Sequence, residues 1–419
     1  MVKKIVVVAL AMLGISLVYC SAENGDNSGD DKAAAGDTTT AEFTKAESQL
    51  SSSGNTFGLY LFQQLIQEEP GENIFVSPLS VSAALGMTYN GAGGETREQM
   101  KQTLGFLGLT PEQINQSYQQ LFSYLTGLDS NVQMKIANSI WYNNTYTFKS
   151  SFIETNQKYF GAEVASLNFG SGTAADSING WVDKNTNGKI SKIVEKPLDP
   201  RMAMFLINAI YFKGTWTYQF ADSLTTDDFF MPRSGEKQPI KMMHIKRDLS
   251  YYQTPELQIV DLPYGEGAYS MTIILPRQGM DINQFVLSLS EGRLNDWMTG
   301  LSMKEGRLAL PRFKLEYEVM LNKALQLLGI QDAFNAQKAD FSGMSDDLGL
   351  VISEVKHKTF VEVNEKGTEA AAVTSIGVRV TSVGPEPFVM NVNRPFVYMI
   401  RDRDTNTILF IGRVTGLGA

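Results

Sequence analysis

The stretch Glu365-Lys-Gly-Thr-Glu-Ala-Ala-Ala-Val-Thr374 decides how this chain is read. It joins a β-branched and aromatic run, Lys358 to Val363, to a nearly uncharged segment of small, strand-competent residues from Ala370 to Val380, which Gly384-Pro385 closes. A strand alternates its side chains. Counted from Thr368, the residues Thr368, Ala370, Ala372, Thr374, Ile376 and Val378 share one face, and Glu369, Ala371, Val373, Ser375, Gly377 and Arg379 share the other. The first face is small or apolar throughout. The residues alone leave two readings open, an ordinary exposed loop or edge strand and a segment able to become a strand.

The rest of the composition excludes more than it proves. With 419 residues, of which 43% are hydrophobic, the chain can bury a large core, and by length two or three domains are expected. A net charge of -9 offers no basic stripe for nucleic acid. His244 and His357 are the only histidines and Cys20 the only cysteine, so no internal disulfide can form and almost no raw material is left for a metal site. Nucleophilic catalysis needs a nucleophile beside a base, and no Gly-x-Ser-x-Gly elbow, phosphate loop, His-Glu-x-x-His helix or Cys-x-x-Cys pair occurs. Gly91-Ala-Gly-Gly94 reads as a turn after a helix, and Asp227-Asp228 and Asp346-Asp347 as solvated loop charges. Neither an enzyme nor a cofactor is expected.

The N-terminus carries Lys3-Lys4, an apolar run from Ile5 to Val18 and a lipobox-like Leu17-Val-Tyr-Cys20. This reads as a secretory leader over residues 1–20, too short for a membrane span, with lipidation at Cys20 in the manner of bacterial lipoproteins. Tyr19 departs from the small residue usual before such a cysteine, and a plain signal peptide is the alternative. The chain is therefore expected at a bacterial cell envelope or surface, or outside the cell, and to meet a membrane only through the lipid. Residues 21–53 are rich in Ser, Gly, Asp, Asn, Ala and Thr, and read as a flexible tether.

Apolar spacing predicts helices over Phe57 to Glu68, Ser80 to Tyr89, Ser151 to Tyr159, Ile178 to Asn185 and Glu318 to Leu328. Ser77-Pro78 supplies the cap and first turn of the second, and Gly329 ends the last. Strands are predicted over Met204 to Phe212, Leu257 to Pro263, Ser270 to Leu275 and Arg307 to Glu316. The class is α+β.

Six stretches, in order, resemble the serpin family over about Asn55 to Leu417. They are Asn73-Ile-Phe-Val-Ser-Pro-Leu-Ser80, Ile178-Asn-Gly-Trp-Val182 with Thr186-Asn-Gly-Lys-Ile190, Asn208-Ala-Ile-Tyr-Phe-Lys-Gly-Thr-Trp216, Ala339-Asp-Phe-Ser-Gly343, the hinge from Glu365 to Thr374, and Asn393-Arg-Pro-Phe396. The resemblance implies one domain over 54–419, with three mostly antiparallel sheets, about nine helices and an exposed reactive-centre loop over about 365–387. It implies suicide inhibition: a serine protease acylates the loop, and the freed hinge inserts into the main sheet and carries the enzyme to the far pole. Fourteen residues at about 3.3 Å give a travel of about 45 Å.

The same resemblance assigns the residues. The hinge comprises Glu365, Gly367, Thr368, Glu369, Ala370, Ala371, Ala372 and Thr374, with Gly367 as pivot. Counting sixteen residues on from Glu365 gives Thr381-Ser382 as the scissile bond. Arg379 and Val380 fill the preceding subsites, and the alternative register cuts at Arg379-Val380. The modest Val380-Thr381 side chains point to elastase-like or subtilisin-like proteases. Cysteine proteases stand as cross-reacting partners. A polar shutter of Ser77, Ser80, Asn208 and His357 lies beneath the sheet, and Trp216 marks the breach at its top, where Arg312 pairs with Glu365. The protein is expected as a monomer that can form loop-sheet polymers. A non-inhibitory serpin, acting as a binding or chaperone-like module, is the alternative, and the Ala-rich, Pro-free hinge favours inhibition.

Overall fold

The computed structural model describes residues 3–12, 43–233, 235–347, 349–368 and 386–417. Among them are nine α-helices and two sheets, an α+β arrangement. The first sheet runs in the order β11 (Phe313–Met320), β12 (Leu350–Val363), β1 (Lys3–Met12), β5 (Met202–Thr215), β3 (Val132–Asn143) and β4 (Glu163–Leu167), with the two-residue β13 (Gly367–Thr368) against the end of β5. The second runs β14 (Phe388–Asn391), β10 (Ser302–Pro311), β7 (Gln238–Gln253), β8 (Leu257–Tyr264), β9 (Tyr269–Pro276), β15 (Phe396–Asp402), β16 (Ile408–Val414) and β2 (Ile74–Val76), with β6 (Thr226–Phe230) beside β7. Where three sheets were expected, the second and third form one ladder, because the sixteen-residue β7 pairs in turn with β6, β10 and β8.

The first sheet is buried on both faces, which explains the continuous apolar run of β5. Leu206, Ile210 and Phe212 pack into the main core, while Phe205, Ile207, Ala209 and Tyr211 pack into a second core with Trp141, Ile178 and Val182. The helix α2 (Pro78–Tyr89) is buried at every position, so its polar residues must find partners inside. Helix α6 (Ala174–Asn185) covers the opposite face.

Three elements depart from the expectations. Helix α1 (Lys45–Glu68) begins twelve residues before the predicted Phe57 and takes up the last part of the expected tether. Thr44 and Glu47 cap it reciprocally, and the buried Ser51 and Asn55 are held by Thr407 Oγ1 at 2.7 Å and the Asn406 carbonyl at 2.9 Å. The predicted helix from Glu318 to Leu328 is only α9 (Asn322–Leu327), because Glu318, Val319 and Met320 remain in β11, paired with Lys358, His357 and Lys356. The predicted strand from Arg307 to Glu316 is two strands that part at Arg312.

Residues 3–12, which the sequence reading assigns to a leader, have a place in the sheet. Strand β1 pairs parallel with β12 and with β5, and Ile5, Val6 and Val7 are buried. Ile5 and Val7 join the main core and Val6 the second. Full burial of such side chains contributes about 1.5–3 kcal/mol each. Cys20 lies outside the described residues.

Candidate functional site: the hinge and the shutter

The chain leaves β12 at Val363, turns through Asn364 to Gly367, and returns as β13. Gly367 pairs with Thr215 and Thr368 with Gly214, antiparallel to β5. Gly367 has φ +147, and a Cβ there would stand 2.3 Å from the Gly214 carbonyl oxygen, so only glycine lets the backbones meet. Thr368 is fully buried, and its hydroxyl lies 2.5 Å from that of Tyr264. Gly367 and Thr368 of the hinge already sit in the sheet.

Trp216 follows β5 directly and holds this turn. Its ring stacks on Tyr264 with centroids 4.4 Å apart, its Nε1 donates to the Asn364 carbonyl at 2.9 Å, and its backbone N–H donates to the Lys366 carbonyl at 2.9 Å. Glu365 is 3% exposed and accepts from Arg312 Nε at 2.6 Å and from the Thr225 hydroxyl, while its carbonyl accepts from the Phe220 N–H at 2.9 Å. The structure thus brings Trp216, Arg312, Glu365, Gly367 and Thr368 together. Tyr264 and Thr225 were not foreseen, since nothing in their local sequence marks them.

Burial pushes the Glu365 carboxyl up, but the hydrogen bonds from Arg312 and Thr225 outweigh it and hold the group below the usual glutamate range. A carboxyl depressed in the folded state stabilises it above the ordinary glutamate value and loses that contribution as pH falls through the folded value. Arg312 is 43% exposed, so the pair contributes about 1–2 kcal/mol rather than the larger value of a fully buried one. Glu365→Gln is expected to lower stability by that amount at neutral pH, with the gap to wild type closing below about pH 4. Urea midpoints measured from pH 3 to 7 check this, and a gap independent of pH would contradict the assignment.

The shutter is built by alternation. Asn138 on β3, Asn208 on β5 and His357 on β12 belong to the positions facing α2, and all are buried. The Ser77 N–H donates to His357 Nε2 at 3.1 Å, so that nitrogen carries no proton here. The Ser77 side chain caps α2 by accepting from the Ser80 N–H at 3.2 Å. The Ser80 hydroxyl donates to Asn208 Oδ1 at 2.6 Å, Asn208 Nδ2 to Asn138 Oδ1 at 2.7 Å, and Asn138 Nδ2 to the Phe160 carbonyl at 2.6 Å. Asn138 extends the foreseen cluster. Ala9 of β1 stands in register opposite both Asn208 and His357.

The remaining hinge residues Glu369, Ala370, Ala371, Ala372 and Thr374, the subsites Arg379 and Val380, and the bond Thr381-Ser382 lie outside the described residues. Asp227 and Asp346 make ion pairs with Lys241 at 2.6 Å and Lys149 at 2.7 Å at exposed positions.

The described residues form an α+β body in which a polar cluster lies under the first sheet and the turn from Asn364 to Thr368 seats against the end of β5. The sequence model of the serpin (serine protease inhibitor) family matches residues 52–417, and the chain belongs to that family. It is 36% identical to Iripin-5 of Ixodes ricinus over 90% of this chain and 96% of that one. It is 37% identical to the human leukocyte elastase inhibitor over 87% and 98% respectively. Among solved structures, the native thermophilic serpin tengpin matches with a TM-score of 0.80 at 33% identity, covering 91% of this chain and 96% of that chain.

Proposed function

We propose that this serpin inhibits serine proteases by suicide-substrate trapping with loop insertion into the first sheet. The observation that carries it is the antiparallel seating of Gly367 and Thr368 on β5, directly before a segment whose alternate residues are small and uncharged. A protease serine attacks the Thr381 carbonyl, the Thr381-Ser382 bond breaks, and the Ser382 amine leaves with a proton. The acyl ester stays on Thr381 while the hinge zips down β5. Small inward residues at Ala370, Ala372 and Thr374 let it pass without burying a charge. The names of relatives such as the leukocyte elastase inhibitor agree with the modest Val380-Thr381 side chains in favouring elastase-like or subtilisin-like targets. Export with lipidation at Cys20 would place the inhibitor at the surface of a bacterial cell.

The test incubates the leader-free protein with elastase-like, subtilisin-like and trypsin-like enzymes and resolves the products on denaturing gels. An adduct stable to detergent, with a released peptide beginning at Ser382, is expected. Cleavage at that bond without an adduct would assign the chain to the non-inhibitory serpins, and a peptide beginning at Val380 would move the scissile register to Arg379.

A further inference from the structure

We infer that strand β1 is an intramolecular plug: while residues 3–12 remain attached, they hold the positions on β5 and β12 that the reactive loop must take, and the chain carrying them cannot trap a protease. The inference rests on the loop insertion proposed above.

The register makes the conflict specific. Gly367 opposite Thr215 and Thr368 opposite Gly214 start an antiparallel ladder on β5. Continued residue by residue, that ladder sets residue 371 opposite Tyr211 and residue 380 opposite Met202. Strand β1 already pairs with β5 from Met202 to Tyr211, and with β12 from Leu350 to Phe360. Loop and leader therefore need the same backbone groups of the same two strands. They run in opposite directions, since β1 is parallel to both neighbours, so neither can share a partial register with the other. The slot receives β1 on both faces, Ile5 and Val7 in one core and Val6 in the other. Polar contacts fix its edge: Ser353 Oγ donates to the Ile5 carbonyl at 3.2 Å, and Lys4 Nζ lies 3.9 Å from Asp199. The β-branched run Ile5-Val-Val-Val8 suits a strand, and residues 13–42 supply up to about 100 Å of chain to connect β1 with α1. Leader removal then empties the slot for the loop.

The test uses the full 419-residue chain and its Ile5→Asp/Val7→Asp variant, which sets two carboxylates against the main core and so expels β1. In the wild type, the amides of residues 4–12 are expected to exchange at least about 100-fold more slowly than in a free peptide. The variant should lose that protection and form at least about ten times more detergent-stable complex with elastase than the wild type, at equal far-UV dichroism. Unprotected amides in the wild type overturn the plug whatever the variant does, and equal trapping by both chains overturns the block. Should neither chain trap, the inhibitory reading fails by itself, and a synthetic peptide of residues 368–381 decides the plug. It should bind the variant and not the wild type, and equal binding to both overturns the inference.

Discussion

If loop insertion traps the protease as proposed, Thr368→Arg is expected to turn the protein lacking residues 1–20 from an inhibitor into a substrate. Thr368 is fully buried beside Tyr264, at the point where the loop joins β5. An arginine there would have to carry an unpaired charge into the sheet at a cost of several kcal/mol. On the proposed mechanism the acylated intermediate has two exits, insertion and hydrolysis, and their rates compete. If the charge raises the insertion barrier by about 3 kcal/mol, the partition shifts about 100-fold toward hydrolysis. Cleavage at the loop should continue at the wild-type rate, because residues 381 and 382 lie well beyond the substitution. The measurement is the number of inhibitor molecules consumed per protease molecule trapped. Thr368→Ser keeps the hydroxyl partner of Tyr264 and should trap nearly as the wild type does. Wild-type stoichiometry in Thr368→Arg would remove insertion at this position from the mechanism.

The sequence signal was strongest where local chemistry and tertiary burial agree. Ser77-Pro78 reads as a helix start because a capping hydroxyl and a preset φ suit only that place, and α2 begins there. The run Met204 to Phe212 reads as a strand buried on both faces, and β5 extends it by two residues at one end and three at the other. Signals failed where polar contacts across the molecule replaced hydrophobic periodicity. The first turns of α1 contain few large apolar residues, and what orders them is the Thr44–Glu47 box and the bonds of Ser51 and Asn55 to the turn before β16. That box is visible in the sequence as Thr-x-x-Glu. At Glu318 to Met320 the helical spacing was present, but pairing with β12 prevailed.

Residues 3–12 show the same competition over a larger span. Lys3-Lys4 followed by an apolar run has the composition of an export signal, and the same β-branched residues form a good strand. Composition cannot choose between those fates, because each needs only apolar side chains removed from water. Backbone pairing on two sides supplies the missing condition, since β1 lies between β12 and β5 and is parallel to both.

Asn208→Ala is expected to produce the largest loss of stability among single shutter substitutions. The Asn208 amide bridges two strands of the first sheet and α2: Oδ1 accepts from Ser80 and Nδ2 donates to Asn138. Truncation leaves the Ser80 hydroxyl and the Asn138 carbonyl oxygen without that partner in a region closed to water, at a cost of about 2–4 kcal/mol. Ser80→Ala takes away one of these two side-chain bonds of Asn208, leaving its bond to Asn138, and should cost about half as much. The two changes share one hydrogen bond, so their effects should not add, and a double-mutant cycle in urea should return a coupling of about 1 kcal/mol. The substitution also weakens the tie between α2 and β5 beneath the slot. Opening of the sheet therefore becomes easier, and the leader-free variant should polymerise on mild heating at a lower temperature than the wild type, as followed by light scattering. Additive effects of Ser80→Ala and Asn208→Ala, or an unchanged polymerisation temperature, would show that the cluster merely fills space under the sheet and does not govern its opening.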